Sequence, residues 1–100
     1  MTNDTYARNA ETGLLSSGVN TADTAIKSAP GKVYWLTMSD NNDCLAQLND
    51  STDDSGTDLW QMRIPDNGYI HCVFDPPLEF ATGIYLDVPS GEASIIVGYI

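Results

Sequence analysis

Basic side chains are scarce in this chain of 100 residues, in which four Lys and Arg stand against fourteen Asp and Glu. The formal net charge is therefore −10 at pH 7. Proteins that bind nucleic acid neutralise its phosphates with Lys and Arg, and proteins on anionic membranes use the same side chains. The composition predicts that neither nucleic acid nor a membrane surface is a partner. A chain of this length also has room for only one domain.

Long apolar runs are missing as well, because the longest, residues 95–100, falls far short of the roughly 18–20 residues that cross a bilayer. The first residues show no basic region followed by an apolar stretch, which is the pattern of a secretory signal. These two absences predict a protein that is made in the cytoplasm without export.

Soft metal ligands are few: the chain has two cysteines, Cys44 and Cys72, and one histidine, His71. Neighbouring side chains on a strand point to opposite faces, so His71 and Cys72 cannot converge on one ion. We therefore expect no zinc site. The cysteines are interpreted as two small buried thiols, which a cytosolic chain keeps reduced.

Recognisable catalytic motifs are absent too. A nucleophile needs a base, and His71 is the single histidine. Ser90 lies in an ordinary Pro-Ser-Gly turn rather than in a Gly-x-Ser-x-Gly elbow, and no glycine-rich phosphate loop precedes a lysine. The carboxylates fall mainly in polar turns, where we expect nothing to separate their pKa values as a glycosidase requires. The sequence predicts a protein that is no enzyme and holds no cofactor.

One acidic segment, residues 50–56, is superficially similar to a calcium loop. Its glycine, Gly56, falls one place late for the EF-hand pattern, and Gln61 stands where the final Glu ligand would be. We expect a solvated acidic loop there, with a weak and irregular calcium site as the alternative.

From residue 24 onward, short runs rich in β-branched and aromatic residues alternate with clusters of Gly, Pro, Asn and Asp. This pattern predicts about seven or eight short strands and no helix, as in an antiparallel β-sandwich or jelly roll. Residues 25–100 are expected to form this single domain. The predicted strands are residues 25–27, 32–38, 44–48, 59–64, 69–74, 78–80, 84–88 and 93–99.

Alternation within these strands assigns side chains to faces. Two sets are predicted to face the core: Ile84, Leu86 and Val88 in one strand, and Trp60, Met62 and Ile64 in another. A further strand has two distinct faces, with Ile70, Cys72 and Phe74 on one and Tyr69, His71 and Val73 on the other. The strand 32–38 is apolar on both faces, which indicates either a covered central strand or an interface.

Residues 1–24 differ in composition, with few large apolar side chains and with glycines that interrupt any helical spacing. We interpret them as an N-terminal arm that is loosely ordered or docks on a partner. The alternative is a plain disordered terminus.

Two stretches carry a resemblance to a known family: residues 30–39 (PGKVYWLTMS) and residues 74–85 (FDPPLEFATGIY), the latter followed by VGYI at 97–100. They resemble small β-sandwich structural proteins of tailed bacteriophages, such as the decoration or cement proteins of capsid shells. The resemblance covers residues 25–100 and brings no catalytic or ligand residues. It implies a virion protein on the capsid surface that binds the major capsid protein non-covalently and stabilises the shell. A homo-oligomer is expected, with a trimer favoured.

In such a protein the arm and the two-sided strand would carry the contacts. The candidate partner-binding residues are Tyr6, Leu14, Leu15, Val19, Tyr34 and Trp35. Two alternatives stay open. One is a carbohydrate-binding or host-adhesion module that uses exposed Trp and Tyr, with Trp35 or Trp60 as the platform. The simpler interpretation of the two tryptophans is that both fill the core. The other is a structural component of the tail or neck.

Overall fold

The computed structural model describes residues 13–100. These residues form six β-strands: β1 (Leu15–Ser16), β2 (Thr24–Lys27), β3 (Gly31–Asp50), β4 (Thr57–Ile64), β5 (Tyr69–Phe80) and β6 (Ile84–Tyr99). All strand pairs are antiparallel and join into one sheet, so the predicted all-β antiparallel class is confirmed. Within residues 13–100 no helix has the length and apolarity that crossing a membrane requires.

The sheet is built around β3 and β6, which pair along nearly their whole length, from Val33 opposite Tyr99 to Asp50 opposite Ile84. The other edge of β6 pairs with β1 at one end and with β2 at the other. The other edge of β3 pairs with β5 along its first half and with β4 along its second. The sheet is therefore four chain segments wide, in the order β1/β2, β6, β3 and β4/β5.

Both central strands bend in the middle. β3 contains 20 residues and would span about 66 Å if it were straight, whereas the longest dimension of the described chain is 42 Å. Its register with β6 shifts repeatedly between Asp40 and Gln47. β6 bends beside it at Gly91, where φ is 81° and where a side chain would overlap the backbone carbonyl of Asp43. The sheet consequently curls around a core on its concave side.

Three breaks that the turn residues predict are bends inside longer strands. Residues 39–43 do not separate two strands, because Asn42 stays opposite Glu92 while β3 and β6 bend together. The predicted strands 32–38 and 44–48 are thus one strand, and residues 89–91 likewise lie within β6. Residues 75–77 lie outside the ladder with β3, because the two prolines have no N–H to donate to it. They form a bulge within β5, which continues to Phe80.

Residues 65–68, between the predicted strands 59–64 and 69–74, form a tight turn that does not make a hairpin. Asn67 has a φ of 62°, and the Gly68 N–H donates to the Pro65 carbonyl at 2.8 Å. β4 before the turn and β5 after it pair with the same edge of β3 instead of with each other. The turn therefore carries the chain past the bend of β3 and does not reverse its direction.

The core lies on the concave face, where alternate side chains of β3 and β6 are buried. Both predicted core sets are confirmed: Ile84, Leu86 and Ile64 are buried, and Val88, Trp60 and Met62 pack against the core as half-buried side chains. The side chains with no exposed surface include Val33, Leu36, Met38, Cys44, Ala46, Leu48, Ile95 and Val97.

The two cysteines differ in their surroundings, and no disulfide joins them. Cys44 is buried as expected, whereas Cys72 is only half-buried. Burial raises the pKa of the Cys72 thiol above its ordinary value, which lowers its thiolate fraction.

Part of the predicted arm lies against the sheet. Leu15 and Ser16 pair with the end of β6, and Asn20 exchanges two backbone hydrogen bonds with Ile95. Residues 13–20 therefore follow the free edge of β6, while residues 1–12 are outside the described chain. The boundary between arm and domain after residue 24 stays a prediction.

Candidate functional site

An uncharged surface covers part of the outer, convex side of one half of the sheet, next to the exposed Lys32–Glu79 ion pair. Trp35 of β3 lies between Val73 of β5 and Gly98 of β6, and two residues further along Thr37 lies beside His71. Directly opposed residues of neighbouring strands point to the same side, so these side chains share one face. We call Trp35, Tyr69, His71 and Val73 the outer aromatic face.

Two side chains of the outer aromatic face are largely open to solvent. Tyr69 is 83% exposed and Val73 is 68% exposed. Trp35 is half-buried between Val73 and the backbone of β6 at Gly98, and Tyr69 lies further along β5, opposite Ser39. None of the residues that β3, β5 and β6 contribute to this side over the paired positions 35–39, 69–73 and 94–98 is Asp or Glu. In a chain with a net charge of −10, this surface is therefore distinct from the rest.

Neighbouring residues hold Trp35 in place. A Cβ added at Gly98 would overlap the indole ring, so the ring lies directly over the backbone of β6. The imidazole ring of His71 lies 6.1 Å from the indole at 39°, and His71 Nδ1 shares a 2.8 Å hydrogen bond with Thr37 Oγ1. The two ring side chains are thus positioned before any partner arrives.

The structure separates the residues that the sequence groups as partner contacts. Trp35 lies on the outer aromatic face, whereas Leu15 pairs with Tyr99 and points to the other side of the sheet. Leu15 is 52% exposed and Val19 is 63% exposed, and both lie on the segment along the edge of β6. Leu14 and Tyr34 are half-buried, and Tyr6 is outside the described residues.

Sequence reasoning did not name Tyr69 and Val73 as contact residues. It did place them on one face with His71, and that alternation was the available signal. Of the two tryptophans considered for a platform, Trp60 packs edge-on against Phe74 at 6.2 Å and contributes to the core. Both tryptophans are half-buried, and Trp35 is the one on the outer side of the sheet.

A second cluster lies on the outer side of the other half of the sheet. Asp23 precedes β2, Asp54 lies in the loop between β3 and β4, and Asp87 is on β6; their nearest carboxylate oxygens all lie within 4.8 Å of one another. We call these three residues the acidic cluster. The ion pairs found among residues 13–100, Lys32–Glu79 and Arg63–Asp43, involve none of them.

Burial and the crowding of like charges raise pKa values in this half. Desolvation raises the pKa of Asp87, and the negative charges of Asp23 and Asp54 raise it further. Desolvation also raises the pKa of the Tyr85 phenol, and the cluster adds to that shift. The expectation that nothing separates the carboxyl pKa values is therefore wrong for this site.

Hydrogen bonds hold the loop that carries Asp54. The Asp50 carboxylate accepts bonds from the backbone N–H groups of Thr82 at 2.8 Å and Ala81 at 3.1 Å, and the Thr82 bond does most to lower the pKa of Asp50. Asp53 accepts bonds from Ser51 and Ser55, and the Ser55 hydroxyl does most to lower the pKa of Asp53. Hydrogen bonds of Asp50 and Asp53 therefore hold the loop in the region of Asp54.

Asn49 is a buried polar residue beneath this loop. Its side chain is 1% exposed, and it lies between Asp58 of β4 and Tyr85 of β6. Asn49 Nδ2 donates to the Asp58 carboxylate, but Oδ1 has no hydrogen-bond partner within the described chain. A buried acceptor without a partner costs about 1–3 kcal/mol, so Asn49 is an unusual residue to find there.

Comparison of the chain with protein-family models, with curated proteins and with solved structures finds no match.

Proposed function

We propose that this protein is a virion structural protein of the tailed-phage type, which binds the capsid shell non-covalently and stabilises it as a decoration or cement protein. The observation that supports this most is the outer aromatic face, an open apolar surface on a rigid sheet. The resemblance of residues 30–39 and 74–85 to phage structural proteins supplies the context. The partner would be the major capsid protein, and the location the outside of the shell.

The composition of the outer aromatic face fits a protein interface. Single exposed apolar side chains are ordinary, but Tyr69 and Val73 stand beside Trp35 on one surface. Trp and Tyr are enriched among the residues that dominate binding energies at interfaces. Because Gly98 and His71 already position Trp35, docking would immobilise little additional side-chain freedom.

Charge gives the proposed orientation of the protein on its partner. The outer aromatic face contains no carboxylate, whereas the outer side of the other half carries Asp23, Asp54 and Asp87. A shell protein that is itself acidic would repel the second surface and accept the first. The acidic half would then face solvent, where it keeps free subunits from associating.

The N-terminal segment would add a second contact. Leu15 and Val19 are exposed along the edge of β6, on a segment that leads to the twelve residues before it. We propose that this segment reaches a neighbouring subunit in a homo-oligomer, with a trimer favoured. The finer architecture in this proposal is a sandwich of jelly-roll type, in which the two halves of the curled sheet face each other across the core.

The test is the position of the protein on assembled particles. Phage particles from cells that express the chain are separated on a density gradient, and the head and tail fractions are assayed for it. We expect the wild-type protein in the head fraction and loss of the Tyr69→Ser/Val73→Ser variant from it. Leu59→Ser, an exposed apolar residue of β4, is the matched control and should stay bound.

The outcomes of this experiment distinguish the virion role, the tail or neck alternative and the docking surface. Wild-type protein that stays at the top of the gradient refutes the virion role. Protein in the tail fraction supports the tail or neck alternative instead. If the double variant binds the heads as well as wild type does, the outer aromatic face is not the docking surface.

A carbohydrate-binding or host-adhesion module is the second candidate, favoured by one observation. Trp35 and Tyr69 lie on the same open face beside His71, an arrangement on which a sugar ring could stack. Titration of cell-surface glycans with tryptophan emission as the signal separates the two functions. A saturable change that is lost in Trp35→Phe supports sugar binding, and a flat response to all glycans removes it.

A further inference from the structure

We propose that the acidic cluster is a calcium site, in which Asp23, Asp54 and Asp87 supply carboxylate oxygens and the buried Asn49 Oδ1 supplies a fourth protein ligand. The inference is independent of the proposed virion role. It also differs from the calcium loop considered in the sequence, because two of the three carboxylates lie outside residues 50–56.

The spacing of the carboxylates is compatible with one divalent cation bound between them. Two oxygens on opposite sides of one ion are separated by up to twice the metal–oxygen distance, which is about 4.6–5.2 Å for Ca²⁺ and about 4.0–4.2 Å for Mg²⁺. The ligand atoms of the acidic cluster all lie within 4.8 Å of one another, a limit that either ion can meet, so the choice between the ions rests on their coordination geometry. Calcium also accepts irregular geometry and water ligands, whereas magnesium demands a near-ideal octahedron.

Asn49 is the observation that distinguishes this cluster from an ordinary group of surface acids. Its Nδ2 turns toward β4 to donate to Asp58. In the register of β3 with β6, Asn49 lies opposite Tyr85, two residues from Asp87, so its side chain is on the same outer side of the sheet as Asp87. Asn49 Oδ1 is buried and has no partner within residues 13–100, and amide oxygens are preferred calcium ligands.

The three carboxylates are held close at a cost that a cation would remove. Asp23 Oδ1 accepts a 2.7 Å hydrogen bond from the backbone N–H of Val88, which fixes Asp23 beside Asp87. The loop hydrogen bonds of Asp50 and Asp53 hold Asp54 over them. One divalent ion would join the segment before β2, the β3–β4 loop and β6.

Calcium chloride titrated into the full chain tests the site, with calorimetry and the melting temperature as readouts. We expect one ion per chain with a Kd of about 10⁻⁴–10⁻³ M, the range of weak extracellular calcium modules. The melting temperature should rise with calcium, and much less with sodium or magnesium chloride at equal ionic strength. Asp54→Asn should weaken calcium binding at least about tenfold.

Matched variants keep the result interpretable. Asp66→Asn removes the same charge from an exposed turn outside the cluster and should bind calcium as wild type does. Asp87→Asn should likewise weaken calcium binding at least about tenfold, and a circular dichroism spectrum like that of wild type would show that this variant is folded. Calcium should lower the pKa of Tyr85. The contribution of Tyr85 to the ultraviolet titration is the difference between the curves of wild type and Tyr85→Phe.

Two results would overturn the proposal. The first is a wild-type chain that shows neither binding heat nor a melting shift beyond the ionic-strength control. The second is an equal loss of response in Asp54→Asn and Asp66→Asn, because calcium would then only screen the net charge. Neither result bears on whether the protein binds a shell, so the two proposals fail separately.

Discussion

The contact between Trp35 and Gly98 can be tested by adding one methyl group. Gly98→Ala places a Cβ inside the indole ring of Trp35, which must then leave its position over β6. The backbone offers no obstacle, because Gly98 is not among the positive-φ glycines of residues 13–100. Any loss of stability is therefore due to the side-chain overlap.

Two opposing effects set the size of the change. Replacing Gly by Ala in a strand stabilises by about 0.5–1 kcal/mol through chain entropy. Overpacking against a positioned ring costs about 1–3 kcal/mol. Overpacking dominates, so we expect Gly98→Ala to destabilise the protein by about 0.5–2 kcal/mol. In a Trp35→Ala background the overlap disappears, and the same substitution should stabilise by about 0.5–1 kcal/mol.

Urea unfolding of the four proteins in this double-mutant cycle measures the effect. Circular dichroism reports unfolding in all of them, including those without Trp35. Tryptophan emission of Gly98→Ala should shift to the red in the native state, since Trp35 becomes more exposed while Trp60 stays in place. If Gly98→Ala has the same effect in both backgrounds, the ring does not lie over Gly98 and the outer aromatic face is not preorganised.

Leu36→Ala, Asp50→Ala and Asp87→Asn test the core and the two classes of carboxylate by urea unfolding at several pH values, with Val73→Ala as the surface control. Leu36→Ala should cost about 2–5 kcal/mol because Leu36 is fully buried, whereas Val73→Ala on the surface should change stability by less than about 0.5 kcal/mol. Asp50→Ala should cost about 1 kcal/mol at pH 7, and because the folded pKa is lowered, the difference should vanish as the pH falls below the ordinary value of 3.8. Asp87→Asn should stabilise by up to about 1 kcal/mol at pH 7, and because the folded pKa is raised, this gain should be absent below the ordinary value. A core variant as stable as wild type, or carboxylate effects of the opposite sign, would contradict these assignments.

Local alternation predicted the faces of the strands because each side chain follows from its own strand. Ile84 and Leu86 are buried, and Tyr69 and Val73 are exposed on the opposite side from Phe74, as the pattern indicates. The ends of the strands depend on partners and were less predictable. The polar run 39–43 remains in β3 only because β6 bends beside it, and a sequence pattern contains no information about that register.

The acidic cluster lay beyond sequence reasoning for a similar reason. Asp23, Asp54 and Asp87 are far apart in the chain and meet because β2 and the β3–β4 loop both approach β6. Asn49 lies between the predicted strand 44–48 and the acidic segment 50–56, yet it is almost fully buried on β3. Spacing rules for contiguous calcium loops cannot detect ligands that the fold gathers from separate segments.

The division of charge between the two halves predicts an unusual salt dependence for the proposed shell binding. At 0.15 M salt the Debye length is about 8 Å, so the acidic half is screened from a partner docked on the outer aromatic face. At 0.01 M it is about 30 Å, which exceeds the 21 Å shortest dimension of the described chain. Repulsion between this chain and an acidic shell should then weaken binding, so sedimentation with capsids should increase as salt is added. Binding that decreases with salt would show that ion pairs, rather than the uncharged aromatic face, make the contact.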